Sequence, residues 1–375
     1  MNDLDYMKRA IRLARRGSPL VSPNPRVGCV VVRQGRIISE GYHAAFSGPH
    51  AEQAALAGLN PSRSRGATLY VTLEPCNHFG KTPPCTDAIL AAKIGRVVIG
   101  CRDPNPVVSG RGIRRLRGAG IEVCTGILEE ECRDLNRAFF KFIRTGLPHI
   151  TLKIALTLDG KIAARNGNSK WISHEPSRRM VHRLRGEHDA VLVGIRTVLA
   201  DDPELTVRKG PGGRTGAFSP KRIVLDSRLR IPARARLLSL SDPEKTIIAT
   251  TVRAPAARKA ALERIGARVW TLRTDRHGMV SLRDLLKKMA GDGITSVLVE
   301  GGSSIFTSFI KAGELDRMIV FTSPKLLGTG LSALGDLGAL SPQDALRFGS
   351  FEWRRCGSDM MFIGEKPCLP ASSKR

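Results

Sequence analysis

Two stretches, GPHAEQAAL at 48–56 and YVTLEPCNHFGKTPPCTDAI at 70–89, decide how this chain folds and what it holds. Within them His50, Cys76 and Cys85 offer one imidazole and two thiols, and each cysteine follows a proline. A neutral imidazole and two thiolates suit zinc, and three protein ligands leave a fourth coordination position for water. Water held there loses its proton near neutral pH and can attack an electron-poor ring carbon. Glu52, two residues after the histidine, stands close enough to move protons without binding the metal. His50 and Cys85 also sit where helices open, and helix N-termini favour thiolate and hydroxide.

Zinc nucleobase deaminases divide the work in this way, with His and two Cys as ligands and Glu as general acid and base. The bland alternative, two buried thiols and an ordinary helix start, does not account for the flanking prolines or for Glu52. One feature departs from the usual signature: eight residues rather than two separate the cysteines. NHFGKTPP (77–84) must therefore loop over the metal, bringing His78 and Lys81 beside it as substrate contacts. His78 as a fourth metal ligand would make the site structural and leave Glu52 without a task.

Outward from these stretches the first half alternates strand and helix signals. VGCVVV (27–32) and IISEGY (37–42) flank the turn RQGR as a hairpin. The strands ATLYVTL (67–73), RVVIG and IEVC follow, with helices from His50, over 85–93 and near 111–118 between them. Leu4, Met7, Ile11 and Ala14 form one helical stripe that stops at Gly17, so the N-terminus is a folded helix rather than a targeting segment. The pattern restarts at GLPHI (146–150). The second half alternates again, through DAVLVG, RIVLD, TIIAT, ARVWTL, TSVLVE and RMIVFTS. The expected division is a domain over 1–146, a second over 147–366, and a disordered tail over 367–375.

The net charge of +26 is shared, +10 on residues 1–146 and +16 on the remainder, with no charge block. Spread charge of this kind attracts anionic small molecules as readily as nucleic acid, so nucleic-acid binding is disfavoured. No apolar run approaches the roughly 20 residues that cross a bilayer. Eight cysteines with no secretory signal argue against a disulfide framework and for a cytoplasmic enzyme. Cys29, Cys101, Cys124 and Cys132 read as small buried hydrophobes.

Several further motifs, in order, make the chain similar to the bifunctional riboflavin-biosynthesis deaminase/reductase family over nearly its whole length. They are SPNPRVG (22–28), RDPNP (102–106), LKIALTLDGKIA (152–163), SKWIS (169–173), VLADDPELTVR (198–208) and EGG (300–302), beside the two stretches above. The resemblance implies an α/β chain, a cytidine-deaminase-like zinc domain followed by a dihydrofolate-reductase-like domain. It implies zinc on His50, Cys76 and Cys85, Glu52 as proton shuttle, and Asn24, His43, His78 and Lys81 against a phosphoribosylamino-diaminopyrimidinone. It implies NADPH in the second domain, at Ala155, Trp171, Thr197, Asp201, Ser227 and the run Gly302, Ser303, Ser304, Ile305, Phe306, Thr307 and Ser308. Ser169, Arg185, Leu205, Arg208 and Glu300 would meet the second substrate, whose ribosyl group is reduced to ribityl. A homo-oligomer joined through the second domain is a further implication.

Taken without the resemblance, the second half is less eloquent. TSVLVE running into Gly301-Gly302 and an apolar helix lets backbone N–H groups approach a phosphate, or is a plain tight turn. No G-x-G-x-x-G follows an early strand, which counts against a Rossmann domain. Arg185 on a helix reads by itself as a solvated side chain. Lys153 is a candidate for positioning or protonation in hydride transfer, or the partner of Asp159. Two rivals stand beside this reading, a tRNA-editing deaminase and a zinc-stapled binding protein. The cysteine spacing and the long second domain count against the first, and Glu52 against the second.

Overall fold

Alternate side chains of Gly28–Arg33 (β1) point to opposite faces of a sheet, and both faces are buried, Cys29 and Val31 on one, Val30 and Val32 on the other. That pattern requires helices on both sides. In the computed structural model, which describes residues 1–17, 19–79, 83–207 and 218–366, β1 lies within a five-stranded sheet. With Arg36–Tyr42 (β2), Thr68–Leu73 (β3), Arg96–Cys101 (β4) and Glu122–Thr125 (β5), the order is β2-β1-β3-β4-β5. β1 runs antiparallel to β2 and β3, whereas β3, β4 and β5 are parallel.

Helices Ala51–Leu56, Cys85–Ala91 and Arg111–Gly118 cover one face through Ala51, Ala55, Ile89, Ile113 and Leu116. Helices Asp3–Ala14, Glu129–Leu135 and Arg137–Thr145 cover the other through Met7, Ala10, Ile11, Cys132 and Phe140. The N-terminal helix differs in one position from its sequence reading: Leu4 is 44% exposed, and the buried stripe is Tyr6, Met7, Ala10, Ile11, Leu13 and Ala14. Its first turn is held instead by a polar side chain, Asp3, which accepts from Tyr70 and Arg96. At Gly41 on β2 a Cβ would lie 2.4 Å from Ala55 N and 2.5 Å from Ala51 O. Glycine there lets the helix that follows His50 lie directly on the sheet.

The chain divides into two compact units, Met1–Leu147 and Pro148–Arg375. The second is built on His149–Thr157 (β6), Lys161–Ala164 (β7), Ala190–Gly194 (β8), Lys221–Leu225 (β9), Thr246–Thr251 (β10), Arg268–Leu272 (β11), Ser296–Gly301 (β12), Arg317–Ser323 (β13), Gly330–Ser332 (β14), Ser350–Cys356 (β15) and Asp359–Glu365 (β16). Nine of these form one sheet in the order β11-β10-β9-β8-β12-β6-β13-β16-β15, and β14 pairs with β7. From β11 to β13 the strands are parallel, and β16 and β15 add antiparallel. AVLVG of β8 is buried at every position, as strands covered on both faces must be. β15, SFEWRRC, is mostly exposed, so it lacks the apolar pattern that marks the other strands in the sequence. In a parallel sheet the ligand crevice opens at the carboxyl ends of the strands. Thr157, Gly194 and Glu300 stand there. Among the described residues no helix is long and apolar enough to cross a membrane.

Candidate active sites

His50 is the N-cap of helix Ala51–Leu56, in extended backbone, with its N–H donated to Gln53 Oε1 at 3.2 Å. Cys85 opens helix Cys85–Ala91 directly after Pro84, and Cys76 lies three residues beyond the end of β3. Two helix starts and a strand end thus converge. The ligand atoms of His50, Cys76 and Cys85 lie within 4.8 Å of one another. His50 Nδ1 is 3.3 Å from Cys85 Sγ and 3.5 Å from Cys76 Sγ.

The chemistry of these donors fits a zinc ion. Hydrogen bonding from the Cys85 side chain holds the Cys76 thiol down to about 4, aided by His50 and by the Cys85 N–H at 3.4 Å. The same sharing, with burial, pushes Cys85 up. A divalent cation held between the two sulfurs takes both as thiolates and displaces their protons. Glu52, in the first turn after His50, is 3% exposed. Burial and then the charge of Cys76 push its carboxyl up to about 7.

Beside the donors lies a cavity of about 290 Å³, lined among others by Asn24, His43, Glu52, His78, Asp103 and Asn105. His43 Nδ1 is 2.9 Å from Pro49 O and its Nε2 is 3.2 Å from Asn24 Nδ2. A proton on Nδ1 satisfies both contacts, leaving Nε2 to accept, and burial lowers the pKa of this imidazole in keeping with that neutral form. His78 is not one of the clustered donors, and its buried Nδ1 has no hydrogen-bond partner among the described residues. Lys81 lies outside the described residues.

Two acidic residues of the cavity, Glu74 and Asp103, escaped the reading of the sequence. Glu74 accepts from Gly110 N at 3.0 Å and Ile113 N at 3.3 Å, which ties the cavity wall to helix Arg111–Gly118. Asp103 accepts from Asn105 N at 2.8 Å, and burial pushes its carboxyl up to about 6. The motif RDPNP carried that signal, as a charged residue with no place on a solvated face.

In the second unit Arg185, at the end of helix Glu175–Arg185, forms a two-pronged ion pair with Glu300 at the end of β12. Arg185 also donates to Thr206 O at 2.9 Å. Arg185 is therefore not the solvated side chain that its helix alone suggests. Lys153, on β6, faces this pair. Burial lowers its pKa, opposed by the charge of Glu300. Asp159 is not its partner, because that carboxylate accepts from Thr157 Oγ1 and from the backbone of Leu327 and Gly328.

Ser169 Oγ donates to Asp201 Oδ1 at 3.0 Å, joining an expected substrate residue to an expected cofactor residue. Trp171 is 61% exposed with Arg178 over its ring at 4.6 Å. Gly302 caps helix Ser303–Lys311, and Thr197 Oγ1 would lie 3.1 Å from a Cβ at Gly301. Ser304 Oγ accepts from Arg196, Thr307 donates to Ser303 O, and Ser308 donates to Ser304 O. Two expected contacts have buried side chains. Phe306 is 2% exposed, and Leu205 lies in the core with Val191 and Val224. Only their backbones are available to a ligand, because their apolar side chains fill the interior. Ala155 lies on β6 against the core, and Ser227 Oγ accepts from Val280 N at 3.1 Å. Ile305 stands 2.9 Å from where a Cβ on Gly194 would be. Arg208 and the tail 367–375 lie outside the described residues.

Residues 148–362 match the family model of the RibD C-terminal domain, and residues 1–101 match that of the cytidine and deoxycytidylate deaminase zinc-binding region. A riboflavin biosynthesis protein RibD from Aquifex aeolicus is 46% identical over 361 residues, 96% of this chain and 98% of the relative. The solved structure of Acinetobacter baumannii RibD superposes with a TM-score of 0.85 at 37% identity, covering 97% of this chain and 98% of that one. A diaminohydroxyphosphoribosylaminopyrimidine deaminase/5-amino-6-(5-phosphoribosylamino)uracil reductase from Thermotoga maritima superposes with a TM-score of 0.82 at 39% identity, covering 97% and 99%.

Proposed function

From the premise that this chain belongs to the RibD family, we propose how its two sites carry out the two reactions. The protein is a bifunctional enzyme of riboflavin biosynthesis. It deaminates the ring of the diaminohydroxyphosphoribosylaminopyrimidine and reduces 5-amino-6-(5-phosphoribosylamino)uracil, using Zn²⁺ for the first step and NADPH for the second.

The observation that carries the deaminase assignment is the convergence of His50, Cys76 and Cys85 on one point, with buried Glu52 two residues after His50. These three residues hold the zinc, which when bound supplies a Lewis acid that makes water nucleophilic at neutral pH. The Glu52 carboxylate takes a proton from the attacking water on one oxygen and delivers it to the exocyclic amine that departs as ammonia. Its elevated pKa suits a group that must both accept and release a proton near neutrality. Asn24, held by His43 Nε2, and the unpartnered Nδ1 of His78 are the polar groups offered to the pyrimidine. Lys81 is a further substrate contact in this reading.

In the reductase, NADPH supplies the hydride. Trp171, Thr197, Asp201, Ser227 and the N-terminal turn of helix Ser303–Lys311 line its place. Backbone N–H groups at that helix start suit a phosphate. Glu300 accepts from substrate hydroxyl or ring N–H groups, Arg185 stands beside it, Ser169 is a further substrate contact, and Arg208 serves the phosphate. Lys153 Nζ, with its pKa lowered by burial, is the group that delivers a proton to the opened sugar. Unchanged reductase turnover in Lys153→Met removes that role.

The enzyme is cytoplasmic and works as a homo-oligomer. The outer edge of β15 has no strand partner among the described residues, and its Phe351 and Trp353 are 64% and 55% exposed. Light scattering tests the association, and a monomer at micromolar concentration counts against it.

The functional test incubates metal-replete enzyme with the diaminopyrimidinone phosphoribosyl substrate, with and without NADPH. Ammonia release without NADPH, followed by loss of 340 nm absorbance when NADPH is present, is the expected result. Ammonia without NADPH oxidation leaves the second unit silent. The absence of both signals from zinc-loaded protein overturns the reading.

A further inference from the structure

The motif TLDGK (157–161) forms the turn between β6 and β7, at the sheet end where the strands open toward the reductase site. Its Asp159 does more than close that turn. The carboxylate accepts from Thr157 Oγ1 at 2.6 Å, from Leu327 N at 3.2 Å and from Gly328 N at 2.7 Å. Leu158 N donates to Lys325 O at 2.8 Å. The segment 325–328, which follows β13, is thereby fastened to the turn by backbone at one end and by a carboxylate at the other.

From this fastened segment Lys325 extends its side chain, and Nζ donates to the carbonyl of Trp171 at 2.6 Å. Trp171 has Arg178 over its ring at 4.6 Å and remains 61% exposed. An exposed indole on a loop keeps one orientation only if its backbone is held. Lys325 is the side chain that holds this carbonyl, and Asp159 fixes the segment from which Lys325 reaches.

We infer that Asp159 is a positioning residue for NADPH, acting through Lys325 on the backbone of Trp171. The inference rests on the reading that Trp171 lies at the dinucleotide. Asp159 touches neither cofactor nor substrate in this scheme. A charged acceptor suits the task because charge-assisted bonds to backbone N–H groups are about twice as strong as neutral ones.

The experiment measures NADPH affinity directly, by quenching of tryptophan fluorescence, in the wild type, Asp159→Ala, Lys325→Met and the double variant. Acting in series, each single change weakens NADPH binding about tenfold and the double variant about tenfold as well, whereas independent groups multiply. Asp159→Glu restores part of the affinity, and ammonia release stays at the wild-type level in every variant. Hydrogen exchange at Leu327 and Gly328 quickens in cofactor-free Asp159→Ala and not in Lys325→Met. If Asp159→Ala fails to fold, Lys325→Met alone must still show the loss of affinity with unaltered exchange at these two amides. Unchanged affinity in either single variant, or losses that multiply in the double, overturns the inference. A wild-type chain that does not bind NADPH overturns the reductase reading itself, and the inference with it.

Discussion

Arg185 and Glu300, 115 positions apart in the chain, meet with Nε–Oε1 at 2.5 Å and Nη2–Oε2 at 2.9 Å while their side chains are only 14% and 7% exposed. Neither residue is free to greet a ligand by itself. They form one unit at the mouth of the sheet, with Lys153 facing it, and a substrate meets the pair rather than two separate side chains. Burial would raise the Glu300 carboxyl, but Arg185 and Lys153 hold it below its ordinary value.

Removing one member of a buried pair leaves the other as an uncompensated charge. Arg185→Met is expected to destabilise the second unit by about 3–5 kcal/mol, and the double change Arg185→Met/Glu300→Met by less. Urea denaturation of the three proteins checks this. A double variant no better than the single would show that the charges are solvated or otherwise paired.

Glu52→Gln keeps size and removes the proton carrier. Deamination is expected to fall by about 10²–10⁴-fold, the usual worth of a general acid or base. Zinc content and reduction of separately supplied deaminated substrate are expected to stay at wild-type levels. Loss of zinc in this variant would instead make Glu52 part of the metal site.

Chelation separates the two activities. Dialysis against a strong chelator is expected to abolish ammonia release while leaving NADPH oxidation on deaminated substrate intact, and added Zn²⁺ restores the first. Cys76→Ala should reproduce the loss without restoration, because only two of the three donors remain. Persistent deamination in metal-free protein would remove zinc from the mechanism.

Asp3 joins the first helix to the sheet. Arg96 binds it with Nη2–Oδ2 at 2.8 Å and Tyr70 donates at 2.7 Å, and these bonds lower its pKa. A carboxylate with a depressed folded-state pKa stabilises the fold above its unfolded value near 4, and that contribution disappears as pH falls through the folded value. With Asp3 about one-third exposed, Asp3→Asn should cost up to about 1 kcal/mol at pH 7. The difference from wild type should shrink steadily below about pH 4. A difference that persists into stronger acid would assign the loss to packing rather than charge.

Close packing around the zinc donors makes one further demand. Gly41→Ala would drive a methyl group to 2.5 Å from Ala51 O, beside His50 and Glu52. Overpacking of this kind costs about 1–3 kcal/mol. Deamination should fall with stability, and reduction should not. Wild-type zinc affinity and ammonia release in this variant would show that the helix can shift freely.

Much of this was legible in the order of residues. Continuous apolar runs marked the inner strands, as in GCVVVR, because both faces of each sheet are covered. The zinc donors and Glu52 were legible because helix starts and a strand end impose local spacing that the sequence displays. β15 was not legible, since an exposed edge strand carries no apolar alternation. Leu4 was misplaced on the buried stripe because helical period alone does not say which turn meets the sheet.

Side-chain partners were decided only by the tertiary structure. The sequence offered Asp159, six positions on, as a partner for Lys153, more distant partners being invisible to it, while folding turned Asp159 toward the backbone at 327–328 and brought Lys153 within electrostatic range of Glu300. It likewise turned Leu205 and Phe306 into core and joined Ser169 to Asp201. The physical reason is range. Helix and strand periodicity arises between residues a few positions apart, whereas burial, ion pairing and the pKa of a buried group depend on which distant segments meet, and parallel strands with crossover connections bring together residues more than a hundred positions apart.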